Sequence, residues 1–115
     1  MEEAQTPTQV VSGLRLVASP DHRKQLIAAL RAWSAGVSVS PGCVKVTLAQ
    51  QVDDPDVFYA SVEWASQSEL EAFRTSTVSR DLTRAIVPHI QGKPQTVRFH
   101  PDEVEPPEAE IAALA

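Results

Sequence analysis

The residue types most often used in catalysis are few and scattered along this chain. Its three histidines and its one cysteine, His22, His89, His100 and Cys43, lie far apart and match no zinc-binding spacing. The four glycines are too dispersed for a phosphate-binding loop or a dinucleotide fingerprint, and no Gly-x-Ser-x-Gly motif is present. The sequence therefore predicts a protein that carries no metal, flavin or haem.

Three side chains remain as candidates for chemistry. The indole N–H of Trp64 needs a partner if the ring is buried, so it is either satisfied by a neighbour or offered to a ligand. Arg84 lies on the last predicted helix, where it either faces solvent or points over a pocket. His89 follows on the same helix and is the one obvious base for a pocket there.

The elements that must position them begin with a strand at 57–64. Phe58, Ala60, Val62 and Trp64 alternate with polar or smaller residues, and this period of two predicts a strand. The Ser66-x-x-Glu69 spacing then has the form of a capping box and predicts a helix start.

Three more strands and two more helices are predicted around this unit. The strands lie at 9–17, 43–50 and 95–100, with a bulge or a close backbone approach suggested by Gly13. A helix starts at Ser19 and ends at Gly36, and a second spans 78–90 with a stop or kink at Pro88. The resulting order, β-α-β-β-α(α)-β, predicts a ferredoxin-like α+β fold with helices on one face of an antiparallel sheet.

The other face of this sheet is predicted to be polar, with both signs of charge. Val44, Val97 and Phe99 are expected on the helix side. The opposite side, by alternation, carries Arg15, Cys43, Lys45, Thr47, Tyr59, Ser61, Glu63, Thr96 and Arg98. The pattern alone is that of a solvated face, which antiparallel sheets tolerate.

The charge is concentrated at the two ends of the chain. The net charge is −5, but seven acidic residues lie in 1–8 and 101–115, so residues 9–100 are close to +2. We expect a flexible N-terminal arm at 1–8, one domain at 9–100 and an acidic, proline-containing tail at 101–115. The sequence shows no stripe of basic residues of the kind that binds nucleic acid, and no apolar run long enough to span a membrane. The single cysteine and the lack of a secretory signal favour a cytoplasmic protein.

A strand that ends in Glu63-Trp64 and leads at once into a capped helix resembles the antibiotic biosynthesis monooxygenase (ABM) domain family. The resemblance covers about residues 9–100. It implies that two sheet faces close on each other to form a dimeric α+β barrel, so the expected partners are a second copy of the chain and a small apolar or aromatic ligand. It also implies a ligand cavity in each subunit, between the sheet and its helices.

The resemblance further implies a cofactor-independent monooxygenase of a small aromatic such as an anthrone or quinol. Family members use a tryptophan at the position of Trp64 and an arginine near that of Arg84, and His89 completes the candidate catalytic set. The accompanying Asn and Tyr are missing, since the chain has no asparagine and carries Ala60 and Leu70 instead. The candidate substrate-binding residues are Leu16, Val46, Phe58, Ala60, Val62, Phe73, Leu82 and Ile86.

Other interpretations stay open on the sequence. Each candidate lining residue could equally belong to an ordinary core. The protein could be a non-catalytic ABM-like dimer that binds an apolar ligand or partner, or an isomerase or lyase that uses His89 as a base. The oxygenase and the binding protein differ in whether a polar group other than Trp64 reaches the pocket.

Overall fold

A computed structural model describes residues 7–100, apart from the side chain of Phe99. The chain forms a four-stranded antiparallel sheet in the order β2-β3-β1-β4, with the helices packed on one face. This is the ferredoxin-like α+β fold that the sequence predicts. In chain order the elements are β1 Val10–Val17, α1 Arg23–Ser38, β2 Cys43–Gln50, β3 Val57–Trp64, α2 Gln67–Arg74, α3 Thr77–Ile86, a 3-10 turn Val87–His89, and β4 Gln95–Phe99.

The two central strands pair without interruption from one end to the other. Val10 lies opposite Trp64 and Val17 lies opposite Val57. The sequence predicts a bulge or a close backbone approach at Gly13, and neither is present: Gly13 pairs regularly with Ser61 and Val97, and a Cβ there would lie 3.9 Å from the Val97 carbonyl oxygen, an ordinary contact distance. The register shift lies in β2 instead, between Cys43 and Lys45.

The shift in β2 corrects the predicted positions of two side chains. Cys43 lies opposite Trp64 and packs against the core on the helix side. Val44 is exposed, whereas the alternation placed it inside. An extra residue in one strand changes the face of what precedes it, because side chains alternate with a strict period of two.

Strand β4 presents the opposite faces from those predicted. Thr96 pairs with Leu14 and Arg98 pairs with Ser12, so both lie on the helix side of the sheet. Val97 lies opposite Gly13 on the other side and is 59% exposed. Directly opposed residues in antiparallel strands share a face, so the pairing with β1 decides the orientation.

Helix α1 begins later and ends later than the sequence predicts. The Ser19 carbonyl accepts a hydrogen bond from His22 N–H at 2.9 Å, and Asp21 has φ 65°, so residues 19–22 form a turn rather than the first helical turn. Gly36 lies inside the helix instead of ending it. A Cβ there would come within 2.8 Å of a methyl carbon of Leu82, so the glycine lets α1 pack closely on α3.

The hydrophobic core lies between the helices and one face of the sheet. Its buried members include Leu16, Leu26, Leu30, Phe58 and Trp64. The other sheet face is left open within residues 7–100. In this described part of the chain, no helix is long and apolar enough to cross a membrane.

Candidate functional site: an apolar pocket between β1, β4 and the short helices

The start of α2 confirms the predicted helix signal after β3. Ser66 Oγ accepts a hydrogen bond from Glu69 N–H at 3.2 Å and donates one to Glu69 Oε1 at 2.9 Å. The cap stops the strand and starts the helix within two residues of Trp64. Helix α2 has only eight residues, of which Leu70 is the buried one.

A second serine cap, not predicted from the sequence, starts α3. Ser76 Oγ accepts a hydrogen bond from Ser79 N–H at 3.1 Å and donates one to the carbonyl oxygen of Phe73 at 2.6 Å. The helix ends at Ile86, and the 3-10 turn that follows contains Pro88, as predicted. Two short helices joined by a tight corner therefore cover the sheet beside β4.

Between these helices and the sheet lies a cavity of about 380 Å³, which we call the apolar pocket. This volume is in the range of small-molecule binding sites. Its lining comes from both outer helices, from Trp33 of α1, and from β1, β3 and β4. The lining residues are Ser12, Gly13, Leu14, Leu16, Trp33, Val62, Leu70, Phe73, Arg74, Ser79, Thr83, Ile86, Lys93, Pro94, Thr96, Val97 and Arg98.

Several polar side chains reach this mainly apolar pocket. They are the hydroxyl residues Ser12, Ser79, Thr83 and Thr96 and the cationic residues Arg74, Lys93 and Arg98. Within the described residues 7–100, no Asp, Glu or His lines the pocket. The pocket can therefore donate hydrogen bonds and attract negative charge, but it offers no carboxylate or imidazole as a base.

Trp64 lies behind the pocket wall rather than in it. The residue is 1% exposed, and its ring centroid is 5.4 Å from that of Phe73. Its Nε1–H donates to Ser12 Oγ at 3.2 Å. The indole N–H is thus satisfied by a neighbour, and Ser12 is the member of this pair that lines the pocket.

The other two predicted catalytic residues also lie outside the pocket lining. The Arg84 side chain is 74% exposed, lies 3.9 Å from Asp81, and borders a depression on the outer side of α3. His89 Nδ1 lies 3.0 Å from His22 Nδ1, so this imidazole faces the start of α1. The structure does not bring Trp64, Arg84 and His89 together around the apolar pocket.

Four of the eight predicted substrate-binding residues line the pocket: Leu16, Val62, Phe73 and Ile86. The other four do not. Ala60 is buried in the core, Val46 and Leu82 pack against it, and Phe58 borders a separate depression of about 210 Å³ beside α1 and β2. In β1, Ser12 alternates in step with Leu14 and Leu16, so the sequence places all three on one face. Ser12 was not predicted as a pocket residue because its side chain is polar.

A larger groove, of about 920 Å³, is open to solvent near the start of the described chain. Pro7, Thr8, Lys45 and Glu63 are among its lining residues, and none of the lining residues is aromatic. Cys43 lies there too, and partial burial raises the pKa of its thiol, against a smaller opposing effect from a hydrogen bond with the Lys45 backbone. Within residues 7–100, no three His, Cys, Asp or Glu side chains are close enough to hold a metal ion. The groove therefore suits an aromatic ligand less well than the apolar pocket does.

Comparisons with known proteins give one family and many similar folds. The family model described as antibiotic biosynthesis monooxygenase matches residues 10–85, more than half of the chain. Among proteins of curated function, none matches the sequence.

Three solved structures illustrate the likeness in fold. A conserved protein from Methanosarcina mazei Go1 has a TM-score of 0.75 at 10% identity, over 84% of this chain and 95% of that one. Rv0793 from Mycobacterium tuberculosis has a TM-score of 0.74 at 20% identity, over 85% and 100%. PA3566 from Pseudomonas aeruginosa has a TM-score of 0.71 at 22% identity, over 84% and 97%. At these identities the likeness shows the fold alone.

Proposed function

Because the chain belongs to the antibiotic biosynthesis monooxygenase family, we propose that it is a cofactor-independent monooxygenase of a small aromatic substrate of the anthrone or quinol type. The observation that carries the proposal is that the Ser12 hydroxyl lines an otherwise largely apolar pocket. Apolar walls exclude water and hold a ring, while a few polar groups orient it. A polar group other than Trp64 at the pocket favours oxygenation over simple binding.

The proposed reaction uses the electron density of the substrate itself. The substrate loses a proton and passes one electron to O2, which gives a substrate radical and superoxide. These two combine to a peroxide, which loses water and leaves a carbonyl. A CH2 group and O2 thus become C=O and H2O. Since no Asp, Glu or His of residues 7–100 lines the pocket, the proton goes to solvent in this proposal, and we expect the rate to rise with pH as the substrate ionises.

Ser12 and Trp64 have different roles in this proposal. Ser12 Oγ already accepts the hydrogen bond from Trp64 Nε1, so its own proton is available to a ligand. A donor at this place stabilises the negative charge that develops on the substrate or peroxide oxygen. Trp64 does not touch the substrate but acts through Ser12, as a positioning residue that fixes the direction of the hydroxyl.

Oxygen uptake with a panel of anthrones, naphthols and hydroquinones tests the proposal. We expect at least one of these compounds to consume O2 in a 1:1 ratio with carbonyl product. Uptake should increase with pH until the free substrate is fully ionised. If compounds bind in the pocket but none consumes O2 above the buffer rate, the oxygenase proposal is wrong.

Binding without turnover is the second candidate function. One observation favours it, namely that no Asp, Glu or His in the described part of the chain lines the pocket to act as a general base. The isomerase or lyase interpretation requires such a base, and His89 faces His22 instead of the pocket. We therefore keep the ligand-binding protein as the alternative and do not propose the isomerase or lyase.

A homodimer formed through the open sheet face is the second part of the proposal. This face presents an apolar and aromatic set together with charges of both signs. Tyr59 is 42% exposed there, and Lys45 lies opposite Glu63. Burial of Tyr59 and Val97 against a second copy would remove apolar surface from water, and the charges can pair across the interface.

A further inference from the structure

One side of the apolar pocket is positively charged. Arg74 at the end of α2, Lys93 in the turn before β4, and Arg98 on β4 all line the pocket. They come from three separate segments, so their position around one cavity is a result of the fold and not of a local run of basic sequence. Among residues 7–100, none that lines the pocket carries a negative charge.

Only one carboxylate compensates this charge within residues 7–100. Glu71 Oε1 accepts a hydrogen bond from Arg98 Nη1 at 2.7 Å, and Glu71 Oε2 accepts one from Arg74 Nη2 at 3.1 Å. Glu71 thus forms ion pairs with two guanidinium groups. No ion pair in the described part of the chain includes Lys93. Within residues 7–100, these three cations and Glu71 together carry a net charge of +2.

We propose that the substrate is an aromatic acid, with its ring in the apolar pocket and a carboxylate or similar permanent anion held by Lys93 and Arg98. This inference rests on the function proposed above and names the substrate class. A neutral ring would fill the apolar walls but leave the positive charge unmatched. An anionic substituent supplies an acceptor for Lys93, which has no ion pair within residues 7–100, and can also accept from the remaining donors of the Arg98 guanidinium.

Two fluorescent probes that share one ring system separate the effects of ring and charge. 1-Anilinonaphthalene-8-sulfonate carries a permanent anion, and N-phenyl-1-naphthylamine is its neutral counterpart. We expect the wild-type protein to bind the sulfonate about fivefold more tightly than the amine, in line with one partly exposed charge contact, and to lose this preference in high salt.

Substitutions in the pocket lining test whether the preference for the sulfonate over the neutral amine arises in the pocket. Lys93→Gln should weaken binding of the sulfonate about fivefold and leave binding of the neutral amine unchanged. Lys24→Gln is the matched control, since Lys24 is exposed on α1, does not line the pocket, and loses the same charge. Arg98→Gln is a second test, and we expect it to act in the same direction as Lys93→Gln.

The outcomes are distinct. Equal affinity for both probes, unchanged in Lys93→Gln and Arg98→Gln, would overturn the acid as substrate class and leave the oxygenase proposal standing. An equal loss in Lys24→Gln would mean that net charge alone attracts the anion, which also overturns the inference. If an anthrone or naphthol that is turned over displaces neither probe, the anion preference belongs to another site, which overturns the acid as substrate class and leaves the oxygenase proposal standing. Absence of O2 uptake with the whole panel refutes the oxygenase itself.

Discussion

The space between the sheet and the helices is filled in one half and hollow in the other. Helix α1 has 16 residues and buries four of them, Leu26, Leu30, Trp33 and Val37. Helices α2 and α3 have eight and ten residues and bury one each, Leu70 and Ile86. The apolar pocket lies on the side of the short helices. Two short helices bring too few side chains to fill their half of the layer, and this leaves room for a ligand.

The two halves look alike in the sequence. Val46, Phe58 and Ala60 have the same alternating apolar pattern as Leu16 and Val62, yet only the latter two line the pocket. Alternation shows which residues of a regular strand share a face, but it does not report what covers that face. The pocket could therefore be predicted as a layer between sheet and helices, but not as one half of that layer.

Matched leucine substitutions should show the largest difference between the halves. Leu26→Ala removes a fully buried side chain from the filled half, and we expect the free energy of unfolding to fall by about 3 kcal/mol. Leu14→Ala lies at the existing pocket and should cost about 1 kcal/mol, because less contact is lost. Urea denaturation measures both, and equal losses would contradict the comparison.

A bulky side chain in the hollow half should remove ligand binding with little effect on folding. Thr83→Phe adds a ring at the pocket lining, and we expect ligand affinity to fall at least about tenfold while the free energy of unfolding changes by less than about 1 kcal/mol. Ala85→Phe adds the same ring to an exposed position of α3 outside the lining and should leave affinity unchanged. Equal affinity in the two variants would place the ligand elsewhere.

A smaller effect, on dimer formation, is expected for a charge reversal on the open face of the sheet. Glu63 lies opposite Lys45 and accepts a hydrogen bond from Thr8 at 2.9 Å. Glu63→Lys places like charges side by side, so we expect the dimer dissociation constant to rise about fivefold in sedimentation experiments. A wild-type protein that stays monomeric at micromolar concentration would refute the proposed dimer.

The smallest expected effect concerns Cys43, which packs against the core at the edge of the open groove. Burial raises the pKa of its thiol, so the fraction of reactive thiolate at pH 8 is smaller than in free cysteine. We expect slower alkylation by iodoacetamide than for glutathione, with the rate rising at higher pH. Alkylation as fast as that of glutathione at pH 8 would show that the side chain is more accessible than its packing against the core indicates.

The strand boundaries followed from the sequence better than the strand faces did. Strands β2 and β3 begin and end where alternation and turn residues predict. The faces of β4 were wrong because Val97 has the apolar character of an inward residue. Its orientation is set by pairing with Gly13, and the Arg98–Glu71 ion pair joins the opposite side of β4 to α2. These are contacts between distant segments, and local periodicity does not record them.

Helix ends, too, could be predicted only where the contacts that set them are local in the sequence. The serine cap at Ser66 is a local hydrogen bond and was predictable, and the cap at Ser76 has the same chemistry. Gly36 resembled a helix end, but its role depends on Leu82, which lies on another helix. The Ser12–Trp64 contact likewise joins two strands that are paired only in the folded chain. Some residues of the candidate site could be predicted from the sequence, but the residues that they contact in the fold could not.

The most direct test of the central claim is the turnover of Ser12→Ala, Trp64→Phe and the double variant with one substrate identified by oxygen uptake. If Ser12 donates to the developing anion and Trp64 acts through it, each single variant should lose roughly 10–1000-fold in kcat. The double variant should then be little worse than Ser12→Ala alone, because both changes remove one contact. Full activity in Ser12→Ala, or losses that follow only the folded fraction, would contradict the account.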